Sequence, residues 1–296
     1  VIARAQLFGG AEVSGCRLSP DGGHLSWLAP VDGALELCVA PVAGPDIAAG
    51  RMVLTAVGGV RSYIWVGRRL VYAQDRGGDE NFQLCAIDLE RRVAVELTPA
   101  GVNARLYATS PDAPDRVAVG LNDRDARWHD VHVIDVATGA RERVLRNDDR
   151  LFGFVFDRLL APRMALRAEL CGRTIVELRD GRAVAWRAIA AEDELATWLV
   201  GLDREGDTLY WVGSEGGDTA TLRAQRPADP EPTVLAAHPG ADVVRVVCDP
   251  VTGVPIAACA DPLVPEWMPC GPGGEHVAWL AGELGHTLDV VSQTDD

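Results

Sequence analysis

Short stretches of alternating apolar and polar residues run along the whole chain, each closed by a turn rich in Gly, Asp, Pro or Asn. HLSWLA, RLVYAQ, RVAVGL and TLYWVG are four of them. Each is followed, after a polar turn, by a second alternating stretch: LELCVAPV, FQLCAIDL, VHVIDV and TLRAQR. A period of two is that of a strand whose successive side chains point to opposite faces, and aromatic and β-branched residues fall where a pleated face is buried. Helical periodicity is scarce. GLNDRDARWH and IAAEDELATWLVGL are its best windows, and AAEDELATWL predicts either a short surface helix or an outer strand.

The alternation itself repeats. Turn-bearing anchors stand at Ser19, Trp65, Ser110, near Val155, Asp203 and Asp249, with gaps of 46, 45, 45, 48 and 46 residues. A further turn, CGPGGEHVAWL from Cys270, comes early and breaks the rhythm. Four short strands in about 46 residues is the length of one β-propeller blade. The expectation is an all-β, single-domain propeller over residues 1–296, with six to seven four-stranded blades. Helical solenoids fail because turns recur every 8 to 12 residues or so where paired helices would be needed. A large β-sandwich is the alternative fold. A propeller must also seal its ring, so either Val1 to Val13 complete the last blade or a seventh blade is truncated.

Composition narrows the function. A chain of 296 residues, 48% hydrophobic, can bury a large core. Its formal charge of −15 argues against nucleic acid or an anionic membrane surface as partner. No apolar run approaches the roughly 18 residues of a membrane helix, and no export signal opens the chain. Seven dispersed cysteines without a CxxC spacing predict free, buried thiols in a reducing cytoplasm, and neither a metal nor another cofactor is expected. All 28 basic residues are arginine, so a lysine Schiff base, a Ser–Lys dyad and a P-loop are excluded.

Two charged hairpins stand out, QDRGGDENFQLCAID from Gln74 and NDRDARWHDVHVID from Asn122. Both fall between the second and third strands of adjacent predicted blades. They are one loop written twice, in which Asp and Asn cap their own turns while Arg76 and Arg124 pair with carboxylates. Together with LSPDGGHLSWLAPVDGALELCVAPV and the closing LDVVSQTDD, they resemble the N-terminal propeller of prolyl-oligopeptidase-family serine peptidases, of the acylaminoacyl-peptidase or dipeptidyl-aminopeptidase-like kind. The resemblance runs from Leu7 to Asp296 and is densest between Leu18 and Val144. It implies a propeller that covers a separate α/β-hydrolase domain, filters substrates by size, and sometimes holds a peptide terminus with acidic or arginine side chains.

No serine in the chain satisfies G-x-S-x-G, the strained turn that presents a hydrolase nucleophile. VGSEGG around Ser214 lacks the first glycine, and His129 and His132, three apart on a predicted strand, face opposite ways. Three readings stand: a non-catalytic propeller gating or docking peptides for a hydrolase domain or partner chain, a stand-alone propeller retooled for a small molecule in its central channel, and a protein-interaction scaffold. The richest supply of ligand-binding groups is Asp79, Glu80, Asn81, Asp123, Arg124, Asp125, His129 and Asp130, with Trp128 as a stacking surface.

Overall fold

The computed structural model describes residues 13–43, 51–55, 59–75, 77–179, 182–285 and 288–294. Residues 1–12 and Arg76, both invoked above, lie outside the described residues. Six antiparallel sheets follow one another along the chain, each a blade of consecutive strands. Blade one is β1 (Ser14–Leu18), β2 (His24–Val31), β3 (Ala34–Pro41) and β4 (Met52–Val53). Blade two is β5 (Ser62–Val66), β6 (Arg69–Gln74), β7 (Gln83–Asp88) and β8 (Ala94–Glu96). Blade three is β9 (Ala104–Ala108), β10 (Arg116–Asp125), β11 (Trp128–Asp135) and β12 (Arg141–Leu145). Blade four is β13 (Leu151–Phe156), β14 (Pro162–Ala168), β15 (Arg173–Arg179) and β16 (Arg182–Ile189). Blade five is β17 (Trp198–Leu202), β18 (Leu209–Gly213), β19 (Thr221–Gln225) and β20 (Thr233–Ala236). Blade six has three described strands, β21 (Val243–Cys248), β22 (Pro255–Ala260) and β23 (Glu266–Pro269), followed by helix α1 (Gly274–Glu283).

The fold is thus a β-propeller, and the anchors spaced by about 46 residues are its turns between first and second strands. The alternation has a fuller meaning than a half-buried strand. Along β6, Leu70 and Tyr72 enter the cluster shared with blade one, while Val71 and Ala73 enter the cluster shared with blade three. Both faces of a middle strand are therefore buried, each against a different neighbour. The same bookkeeping joins blades three and four, four and five, and five and six. Blade one's other face and blade six's other face belong to separate clusters, the latter completed by Val277 and Ala281 of α1 and by Leu288 and Val290.

Two sequence windows resolve differently from expectation. AAEDELATWL is neither a helix nor an outer strand: Ala191–Asp193 is a single 3-10 turn, and Trp198 opens the first strand of blade five. GLNDRDARWH, helical by period, is the tip of the β10–β11 hairpin. The early turn at Cys270 introduces α1, whose Gly274 packs so closely that a Cβ there would run into the backbone oxygen of Ile256. Of the seven cysteines, all free, Cys38, Cys85 and Cys259 are buried while Cys171 is exposed.

Candidate functional site

The two charged hairpins project from one end of the ring, side by side. In blade two, β6 and β7 pair in unbroken register from Arg69–Asp88 to Gln74–Gln83. The loop beyond carries Asp79, Glu80 and Asn81. Asp79 accepts from the Asn81 N–H at 3.0 Å and from its side-chain amide at 3.3 Å, the self-capping turn expected of such residues. Glu80 takes a left-handed backbone (φ 58), and its carbonyl accepts from Asn103 Nδ2 at 2.9 Å. Asp79 and Glu80 are exposed and Asn81 half-buried.

Blade three builds its hairpin differently. Register holds from Arg116–Asp135 to Leu121–Asp130 and then shifts before Asp125–Trp128, so Asn122, Asp123 and Arg124 together oppose His129. Such a bulge re-aims the side chains on it. Asn122 turns back to accept the Asn103 N–H at 2.8 Å. Asn103 Oδ1 stands 3.4 Å from His129 Nε2. Asn103 thereby links Glu80, Asn122 and His129, one continuous chain across both hairpins. Because its amide nitrogen donates to Glu80, its oxygen accepts from His129, which fixes the proton on Nε2 of the neutral ring. Burial, with Arg105 nearby, keeps the His129 pKa below the ordinary value.

Arg124 and Asp130 form a second group. The guanidinium donates to Asp130 through Nε at 2.9 Å and Nη2 at 2.7 Å, and Nη2 also donates to the carbonyl of Asn147 at 3.0 Å. Asp130 is 1% exposed and also accepts the Asn147 N–H at 2.9 Å. Burial alone would raise its carboxyl, but the bonds from Arg124 and Asn147 outweigh that and hold it ionised, below the ordinary carboxylate range. This pair belongs to the fold. Its counterparts are Glu36 and Gln83, also buried at the start of a third strand and spaced by 47 residues from one to the next. Glu36 accepts from Thr55 Oγ1 at 2.6 Å and Gln83 donates to the Thr98 carbonyl at 2.8 Å, so each ties a third strand to the chain leaving its blade.

Among the sequence candidates, the structure therefore brings Glu80 and His129 together through Asn103, and sets Arg124 and Asp130 apart as a blade tie. Asp123 is exposed at the bulge, Asp125 caps the turn by accepting the Arg127 N–H at 2.9 Å, and Trp128 is half-buried opposite Asp125. Asn103 and Asn147 were not singled out by composition or motif, and Asn122 opens the second hairpin motif without standing among the candidate ligand groups. Asn103 and Asn147 nonetheless lie 44 residues apart, each just before a first strand, so aligning the chain on its own period would have exposed them. Among the described residues, no group of His, Cys, Asp or Glu is arranged to hold a metal.

A ring of six consecutive antiparallel blades, five of them four-stranded and the sixth with three described strands, defines the class as a β-propeller, and similarity narrows it. No family model matches the chain. Over 278 residues, 92% of this chain, it is 39% identical to dipeptidyl aminopeptidase BIII of Pseudoxanthomonas mexicana, of which it spans 40%. A prolyl endopeptidase structure superposes with a TM-score of 0.63 at 12% identity, covering 89% of this chain and 42% of that one. The propeller domain of the trilobed protease of Pyrococcus furiosus, described as having an open velcro topology, superposes at 0.55 with 15% identity, covering 86% and 78%. The chain is a propeller of the prolyl oligopeptidase family, of the dipeptidyl-aminopeptidase-like kind.

Proposed function

We propose that this propeller docks and gates peptides for a serine-peptidase domain, with the end of the ring that bears the two hairpins facing the substrate. The observation that carries the reading is the 39% identity to a dipeptidyl aminopeptidase over 92% of the chain. The hairpins support it chemically. Asp79, Glu80 and Asp123 are exposed carboxylates on one end of the ring, the charge that suits the ammonium group of an unblocked peptide. Glu80 is the best placed, since Asn103 pins its carbonyl and leaves the side chain outward. The chemical step itself belongs to a hydrolase domain or partner chain.

Calorimetric titration with an unblocked tetrapeptide and its N-acetylated twin tests this. The unblocked peptide should bind more tightly, and Glu80→Gln should erase most of that preference, on the order of 1–3 kcal/mol for a charged hydrogen bond. Equal binding of the two peptides, or a preference untouched by Glu80→Gln and Asp79→Asn together, would remove the hairpins from substrate recognition.

A further inference from the structure

At the other end of the ring, the turns between first and second strands of blades three to six converge on three charged side chains. Asp112, in the turn of blade three, accepts from Nε and Nη2 of Arg158, in the turn of blade four, at 3.0 and 3.2 Å. The same carboxylate accepts from Nη2 of Arg204, in the turn of blade five, at 3.4 Å. Arg158 then reaches past blade five, where its Nη1 donates to the Pro250 carbonyl of blade six at 3.0 Å. Arg204 is held to that same turn by its backbone N–H on Thr252 at 2.7 Å and by Nη1 on Val251 at 3.2 Å.

Two of these contacts skip a blade. Ordinary packing in a ring joins each blade only to the next, so bonds from three to five and from four to six cross the axis side of the ring rather than follow it. The side chains of Arg158, Asp112 and Arg204 are 21%, 34% and 44% exposed, open enough to water for salt to screen their attraction. Directly beyond them lies a cavity of about 310 Å³ walled by the first strands of blades three, four and five. Arg158 and Pro250 lie on the wall of this cavity, and Asp112 and Arg204 hold their two turns beside it.

We propose that Asp112, Arg158 and Arg204 are a latch that holds this mouth of the central channel closed and makes the four turns open together or not at all. The inference rests on ring geometry, independently of what the opposite end binds. A ligand of peptide size then meets an open channel only from the hairpin end while the latch is set. High ionic strength or loss of one charge releases it.

Hydrogen exchange read by mass spectrometry on the full chain tests the coupling. In Asp112→Asn, which keeps the shape and removes the charge, exchange should quicken about fivefold or more in the turns 110–115, 157–161, 203–207 and 249–254 alike. The last of these is decisive, because among the described residues the ion pairs of Asp112 are with Arg158 and Arg204 and none is with blade six. Arg158→Gln should give the same pattern, with protection of the middle strands unchanged. The unmodified protein in about 1 M NaCl should reproduce it, which keeps the test sound even if a variant folds poorly. If 110–115 loosens while 249–254 keeps its original rate, in the variants and in salt, the turns are independent and there is no latch.

Discussion

At the residue scale the chain repeats a device as well as a fold. Glu36, Gln83 and Asp130 occupy one position in three successive blades, each a buried polar group satisfied by a residue that leaves its blade, Thr55, Thr98 and Asn147. A buried polar group is tolerated only when bonded, and its loss leaves a partner stranded. Asp130→Ala should therefore cost about 2–3 kcal/mol in urea denaturation, with Asp130→Asn recovering part of it. A loss below about 0.5 kcal/mol would make the tie decorative. Acid offers a second probe. His129 and His132 are both held below the ordinary value of 6.5, each chiefly by burial and then by a neighbouring arginine, Arg105 for the first and Arg141 for the second. A histidine with a depressed folded pKa binds fewer protons folded than unfolded. Stability is then flat above about pH 7 and falls as pH drops below about 6.5, down to the folded pKa. His129→Gln with His132→Gln should flatten that slope in a pH series of urea midpoints; an unchanged slope would assign it to other groups.

At the scale of elements, strand positions were legible because the pattern is local. RLVYAQ alternates, and its two sets of side chains separate into two interfaces just as a doubly covered strand requires. What escaped was non-local. GEHVAWLAGE reads as a turn after CGPG, and becomes a helix because Val277 and Ala281 have the face of blade six to cover. The hairpin residues were legible as a motif, but their bulge was not, since a two-residue shift between Leu121 and Asp125 is set by Asn103 and Asn147 from outside the hairpin. Helix α1 supplies a contrasting pair of substitutions. Gly274→Ala meets the backbone of Ile256, which cannot swing aside, and should cost more than about 2 kcal/mol of stability. Gly282→Ala, in the same helix with open space around it, should gain about 0.5–1 kcal/mol. Thermal denaturation of the two variants decides it: shifts of the same sign would contradict this packing of the helix.

At the scale of the molecule the ring is uneven. Five junctions between consecutive blades are sealed by shared apolar clusters, whereas among the described residues blades one and six share none. Residues 288–294 bridge them instead. Arg17 Nη1 donates to the Val291 carbonyl at 3.2 Å, the Leu18 N–H to Ser292 Oγ at 3.0 Å, and Gln293 Nε2 to the Cys248 carbonyl at 3.1 Å. Such polar contacts contribute about 1 kcal/mol each, far less than a junction built from several fully buried side chains at about 1.5–3 kcal/mol apiece. The seam should therefore open without the rest unfolding. Native-state exchange in low denaturant reads this directly: the Leu18 amide should exchange through an opening of lower free energy and smaller denaturant dependence than amides of β10 such as Val119. Ser292→Ala, which removes the acceptor of that very amide, should lower the Leu18 value by about 1 kcal/mol and leave Val119 alone. If Leu18 instead exchanges only with global unfolding, the bridge is as strong as the apolar junctions and the ring has no preferred place to open. A seam that does yield at Leu18, beside a half-ring tied from blade three to blade six, would make blade one the part of the ring that moves.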